Sequence, residues 1–509
     1  MDLLKSAQNA LSVVDALQEL CCCSRCILRF LGVQYSEVGS PYEKPEDYLN
    51  KLVSAQQPER ILDTLNESSP KKRKSNICPM CLDCFRDETI ENLVKHVESL
   101  GIESYNYDNF VFNVSFPKCL AVRAHSMLLH LRKHFPLYKS VNLYETTTSV
   151  MDEVLLEQPH KIFRAVATGK LSEALNKQYY PKSHLNILIS IKYEKDDEEV
   201  ENMKNLNRNQ RSKKRIDVSR NNILEHLKDV DDKLFTYHFA IPPAIPDKEV
   251  QLERVNVTTD PIFIGGRYLK FKRNVGQTPW IVDGVSVTEH NVQDIVFDAI
   301  VNVLRCEKKN MTFSASGRED VDVRMLGAGR PFYVKIDNAK QRQFSSEQFR
   351  EVERQVIKSE LVAVTKLQSI FCSDLTRIKS GEESKKKTYR ALCKTAAPDI
   401  KAAIDILNKQ SELTVSQLTV MRVLHRRTLM ARDKTIYKMS ATEVPGYSDL
   451  FELEVNTQAG TYVKEFVHGD FERTNPSVSS ILGYPTDLVA LDCLDIDLVW
   501  PEKDPNLAL

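Results

Sequence analysis

The spacing of apolar residues changes along the chain, and each change predicts a different element. Near the amino terminus Leu11, Val14, Leu17 and Leu20 recur at helical spacing. In FVFNVSF the period drops to two, with Phe110, Phe112, Val114 and Phe116 on one face, which predicts a strand. SMLLHLRKHF returns to helical spacing, and LNILISIKY, residues 185–193, predicts a second strand. The stretch from Glu194 to Arg220 is charged, has few large apolar residues, and reads as a solvated insertion. In IGGRYLKFKRNVGQTPW, Gly265, Gly266, Pro279 and Trp280 punctuate a domain boundary.

The carboxyl-terminal half mixes both periods. A helix is expected from Thr288 to Leu304, with Val292, Ile295, Val296, Ala299, Ile300 and Val303 on its apolar face. The short strand MTFSA leads into a charged loop, followed by a strand at PFYVKID and a long helix from Ser346 to about Ile370. YRALCK, LFELEV and LVALDCLDIDLVW, residues 488–500, read as further strands. The pattern is α+β, built on an extended sheet, without an internal repeat of solenoid period. The 509 residues suggest several domains at roughly 100–200 residues each. The expected parts are residues 1–107, 108–264 and 265–509.

Composition narrows the class. Apolar residues make up 42% and charged residues 28%, as in globular proteins, and no apolar run reaches the ~18–20 residues that span a bilayer. The amino terminus lacks the basic head and apolar run of a secretory signal, so an intracellular protein is expected. Seventy basic and seventy acidic residues cancel, and total charge gives no support for nucleic-acid binding. Local basic runs at 270–273, around 385–390 and at VLHRRTLMARDK, 423–434, are the candidates for it. KKRK at 71–74 and RSKKR at 211–215 read as solvated charge, nuclear-import signals or RNA contacts.

The twelve cysteines fall into a pattern that suits metal better than disulfides. CCCSRC, residues 21–26, holds Cys23-x-x-Cys26, and ICPMCLDC, residues 77–84, offers Cys78-x-x-Cys81 or Cys81-x-x-Cys84. Two such knuckles can bring four thiolates onto one structural Zn²⁺, and Cys23, Cys26, Cys78 and Cys81 are the expected ligands. Cys21, Cys22 and Cys84 read as ordinary buried thiols. A redox pair is the competing reading, and it lacks a thioredoxin-like βαβ context. Zinc-dependent deamination is disfavoured because no H-x-E element accompanies the pairs.

The loop SGREDVDVRMLGAGRPF, residues 316–332, concentrates acids, arginines and glycines. Gly317, Gly327 and Gly329 allow sharp exits and close approach, while Arg318, Arg324 and Arg330 can fork onto phosphate or carboxylate. An aspartate among such cations stays ionised and suits attack or proton abstraction. The plain alternative is an exposed salt-bridge loop. Two other segments argue against it. TQAGTYVKEFVHGD, 457–470, supplies Lys464 and His468, and KKKTYRAL, 385–392, supplies Tyr389.

GREDVDVR resembles the aspartate-bearing motif of pseudouridine synthases, and AGTYVKEF is similar to their third motif. Together with RNVGQTPW, VLHRRTL, AGTYVKEFVHGDF and the paired amino-terminal cysteines, they resemble the archaeal and eukaryotic tRNA pseudouridine synthases of the Pus-ten type across essentially the whole chain. The resemblance implies a catalytic domain with an extended mixed or antiparallel sheet, preceded by an α/β accessory domain with a THUMP-like RNA-binding part and a zinc site. It implies that Asp320 is the catalytic aspartate, Tyr389 the second-motif tyrosine and Lys464 the third-motif cation, where many relatives carry arginine. Asp322 competes with Asp320 for the role. The implied activity is isomerisation of T-loop uridine in tRNA, without organic cofactor, by a monomer in the nucleus or cytoplasm. Arg318, Arg324, His425, Arg426, Arg427, Arg432, Lys270 and Arg273 are the expected RNA contacts. The alternative is a non-catalytic protein that holds tRNA or other structured RNA on the same scaffold.

Overall fold

Strand Leu185–Lys192 buries every second residue, Leu185, Ile187, Ile189 and Ile191, as its alternation predicts. It belongs to a four-stranded sheet in the order Gln178–Tyr179, Asn109–Ser115, Leu185–Lys192, Gln251–Thr259, in which only the last pairing is antiparallel. The computed structural model describes residues 7–36, 39–54, 77–143, 154–206, 219–378 and 385–502. The basic clusters at 71–74 and 211–215 lie outside the described residues. The chain divides into two compact units, residues 1–259 and 260–509. No described helix is long and apolar enough to cross a membrane.

In the first unit one cluster of buried residues runs from Ala10 to Val255, so the expected parts 1–107 and 108–264 share a core. Helix Cys119–His134 starts where the Asp196 carboxylate accepts the backbone N–H groups of Lys118 and Cys119, at 3.0 and 2.8 Å. An anion there satisfies two donors that have no partner within the helix. Arg123 on this helix pairs with Glu199 at 2.6 Å, and Val200, Met203 and Leu206 are buried. The expected solvated insertion therefore packs from 194 to 206, because its acids cap and pair with this helix. Residues 207–218 lie outside the described residues.

The second unit is built on a ten-stranded sheet. Its order is Val362–Ile370, Ile262–Lys270, Arg324–Ile336, Thr486–Ile496, Lys387–Thr395, Leu450–Thr457, Ala431–Glu443, Leu413–Leu418 and Thr474–Asn475, with Met311–Ala315 also paired to Arg324–Ile336. The pairing is antiparallel except between Arg324–Ile336 and Thr486–Ile496, where Arg324 faces Asp492 and Met325 faces Cys493. This α+β arrangement matches the expected class. Two core clusters pack against the sheet, and Tyr389 touches both.

Three expectations change. The boundary lies at Thr259/Asp260 because Gly265 and Gly266 are inside strand Ile262–Lys270. A Cβ on Gly266 would lie 2.7 Å from Leu367 Cδ2, so the glycine admits a neighbouring side chain and does not end the strand. The helix from Ser346 stops at Ile357, and Glu360 turns at φ 57° into strand Val362–Ile370, whose Val-Ala-Val-Thr run favours extended backbone. The charged loop ends at Val323, and Arg324 already begins a strand.

His125 is buried beside Phe235, with ring centroids 4.5 Å apart. Burial, reinforced by Arg132, lowers its pKa to about 4. The unfolded chain, with an ordinary histidine near ~6.5, takes up the proton first as pH falls. Stability from this site is therefore complete above that value and lost on acidification down to pH about 4. The loss amounts to about 3 kcal/mol. Denaturant titrations between pH 7 and 4 should show His125→Leu losing less stability across this window than the wild type.

Candidate active site

The loop that follows strand Met311–Ala315 is held from beneath by a buried ion pair. Glu319 and Arg330 each expose 1% of their side chains, and Arg330 Nε donates to Glu319 Oε2 at 2.8 Å. Tyr268 Oη donates to the same oxygen at 2.8 Å, and Gln277 links Tyr268 to the Gly317 carbonyl. Arg330 Nη1 donates to the Ser316 carbonyl at 2.8 Å. Burial opposes the Glu319 charge, but Arg330 and Lys270 outweigh it and keep the carboxyl below its ordinary pKa. Gly317, Gly327 and Gly329 all have positive φ. At Gly327 a Cβ would lie 1.9 Å from the Leu494 carbonyl oxygen, so no other residue fits there unchanged.

With Glu319 turned inward, Asp320 and Asp322 turn outward. Asp320 Oδ2 lies 3.2 Å from Lys464 Nζ and 3.1 Å from Arg422 Nη1, with its side chain 40% exposed. Lys464 also grips both oxygens of Asp322, at 2.8 and 2.7 Å. Burial raises the Asp322 pKa, but Lys464 dominates and holds it below the ordinary value. Arg422 is fixed in turn by the buried Glu465 at 2.6 Å and by the ring of Tyr462, 5.5 Å away. Tyr389, half-buried on strand Lys387–Thr395, pairs with Val455 and Cys493 across the sheet. Burial raises its phenol pKa, followed by Cys493, and the charges of Glu319 and Asp320 act on it in the same direction. Asp320 thus pairs with Lys464 from a different element, and Tyr389 on a third is near enough for the Asp320 charge to act on it.

The expected RNA contacts separate into two groups. Lys270 is fully buried, and its amine donates to the carbonyls of Val275 and Asp320 at 2.9 and 3.1 Å. Arg273 donates to the Asp322 carbonyl at 2.7 Å and to Asp492 at 2.8 Å. Arg324 binds Asp492 through two nitrogens. These three cations tether the loop and the sheet; burial removes Lys270 from any open RNA face, while Arg273 and Arg324 stay partly exposed. Arg318, His425 and Arg427 are exposed, and Arg432 is half-buried against Thr419. The side chain of Arg426 lies outside the described residues.

Sequence reasoning missed Arg422 and Glu319. Arg422 stands one residue before the basic run that was singled out, and only its pairing with Asp320 separates it from its neighbours. Glu319 lies inside the quoted loop but looks like any other acid there, since nothing in the loop says that Arg330 turns back onto it, and its other partners, Tyr268 and Lys270, come from an earlier strand.

In the first unit the sulfurs of Cys23, Cys26, Cys78 and Cys81 all lie within 4.8 Å of one another, and three of these cysteines are buried. The Cys23 and Cys81 sulfurs are 3.7 Å apart. A tetrahedron with metal–sulfur bonds of about 2.3 Å has edges of about 3.8 Å. The four residues fit a metal ion, and they are the four the C-x-x-C spacing selected.

Residues 263–497 match the family profile described as Pus10, C-terminal, and residues 78–257 match Eukaryotic Pus10, N-terminal. The catalytic half of the chain is therefore of the pseudouridine synthase class that its loop and sheet resemble. The chain belongs to the Pus10 family. A Drosophila melanogaster relative is 32% identical over 504 residues, covering 97% of this chain and 98% of its own. The Mus musculus protein named tRNA pseudouridine synthase Pus10 is 31% identical over 518 residues, 94% of this chain and 95% of its own. The protein of that name from Methanocaldococcus jannaschii is 33% identical over 257 residues, 48% of this chain and 55% of its own.

Removing one partner of a buried ion pair leaves the other charge uncompensated, at a cost of roughly 3–5 kcal/mol. Glu319→Ala should lose that much in equilibrium denaturation, whereas Asp320→Ala, at a half-exposed carboxylate, should stay within about 1 kcal/mol of wild type.

Proposed function

We propose that this chain isomerises uridine to pseudouridine in the T-loop of tRNA, with Asp320 as the catalytic carboxylate. The observation that carries the reading is Asp320 held between Lys464 and Arg422 beside Tyr389, in the half that matches the Pus10 carboxyl-terminal profile. The reaction breaks the bond from C1′ to N1 and forms one from C1′ to C5, with N1 taking a proton and C5 losing one. No external oxidant, reductant or energy source enters this balance. Lys464 and Arg422 fix the carboxylate in place as the bond to the base breaks. Tyr389, neutral because its phenol pKa is raised, is placed to stack on the flipped uracil and to exchange a proton near the sugar.

The exposed side chains of Arg318, His425 and Arg427 supply phosphate contacts for the tRNA. The first unit serves as the RNA-holding accessory domain, with its THUMP-like part in residues 108–264. The four cysteines hold a structural Zn²⁺, which supplies a cross-link between segments 23–26 and 78–81 and no chemistry. The enzyme works as a monomer in the nucleus or cytoplasm, where tRNA is available.

Incubating wild type and Asp320→Asn with unmodified tRNA transcript, then mapping by carbodiimide-dependent reverse-transcription stops, tests the reading. Wild type should give T-loop stops, and Asp320→Asn should give none while binding the tRNA within a few fold. Two active proteins would remove Asp320 from the chemistry, and two inactive proteins that bind would leave an RNA-holding protein. Elemental analysis should find one zinc per chain, with Cys23→Ser or Cys81→Ser reducing it to a small fraction and lowering the melting temperature.

A further inference from the structure

Directly after the helix Val463–His468, which carries Lys464, the backbone adopts an unfavourable path. Gly469, Asp470, Phe471 and Glu472 have φ of 87°, 47°, 55° and 65°. Three successive side chains in the left-handed region are strained, the phenylalanine most plainly, and persist only where neighbouring contacts impose the shape. Those contacts are present. Asp470 is 5% exposed, its N–H donates to His468 Nδ1 at 3.1 Å, and its carboxylate accepts the Met421 N–H at 3.2 Å. Arg473 pairs with Asp470 at 3.6 Å and also donates to the Thr419 carbonyl.

What this turn achieves is to hold Phe471 in solvent, 88% exposed. Burial of the ring does not compensate the strain, so folding gives no account of it. Its location does. The turn grips Met421, itself 50% exposed, and the next residue in the chain is Arg422, which holds Asp320. The exposed His425 and Arg427 follow on the same segment. A large apolar ring thus stands in solvent on a turn that is hydrogen-bonded to the segment carrying Arg422.

We propose that Phe471 is a stacking platform for an unpaired base of the substrate RNA, next to the nucleotide that enters the site. Every base offers a flat face to an aromatic ring, so the contact positions the strand without reading its sequence. Glu472, exposed beside it, repels phosphate and leaves the backbone to the cationic segment. Phe471 is a positioning residue, and its role rests on the reading that the substrate is RNA.

Two variants of the full chain test this with unmodified tRNA transcript. Phe471→Gly relieves the left-handed strain, so its melting temperature should rise while its tRNA Kd and its KM increase roughly 5- to 100-fold, the range of one lost stacked base, and kcat changes far less. Phe471→Trp should bind within a few fold of wild type and lose emission when tRNA is added, measured against the wild type with its two tryptophans. A Phe471→Gly protein with unchanged Kd and KM, or one that melts lower than wild type, would overturn the inference. So would a Phe471→Trp protein whose added emission is indifferent to tRNA. If wild type makes no pseudouridine but the Phe471→Gly Kd and the Phe471→Trp emission change as stated, the stacking role stands and the proposed activity falls.

Discussion

The buried pair of Glu319 and Arg330 is the constraint on which the site depends. Two charges almost without solvent, 2.8 Å apart, stabilise the fold little beyond what apolar residues of equal volume would supply. Their value is in direction. Because Glu319 must point at Arg330, Tyr268 and Lys270, the next residue along the extended loop must point the other way, and that residue is Asp320. An apolar pair could fill the space without fixing this orientation, so the ion pair acts as a register pin for the catalytic loop.

The same logic explains where the cations go. Lys270, Arg273, Arg324 and Arg330 are all within reach of the loop, yet each is engaged by its backbone or by an acid that braces it. Lys464 and Arg422 hold Asp320, and the outward-facing charge is left to Arg318 and Arg427. Most cations near the loop are thus consumed in pairing, which is why local runs misled for Lys270.

Elements with a clean period were legible: the alternation of 185–192, the helix after Asn291 and the strand at 450–457 need no tertiary information. The helix expected to reach Ile370 failed because apolar residues in VAVTKLQSI fit both periods, and only the neighbouring strand Ile262–Lys270 decides for extended backbone. Gly266 read as punctuation for a similar reason: the side chain that requires it, Leu367, lies about a hundred residues further on. Asp320, Tyr389 and Lys464 were singled out because their segments resemble family motifs, and the four cysteines because two C-x-x-C pairs can converge on one metal. Arg422 and Glu319 were not, since the pairing of Arg422 with Asp320 joins distant segments and the inward turn of Glu319 depends on Tyr268 and Lys270 as well as on Arg330.

The distribution of strain follows the same division. Gly327 accepts positive φ without cost at the point where the loop strand crosses Leu494, and a side chain would only obstruct it. At Phe471 the chain accepts the same region of backbone space with a bulky residue, although glycine would be easier. Arg305, Glu360 and Lys366 in this unit also take positive φ, so what sets Phe471 apart is a bulky aromatic ring that such a turn holds in solvent, and that exposure is explained by what the ring meets outside the chain. An unpaired base has the size, flatness and location to do so.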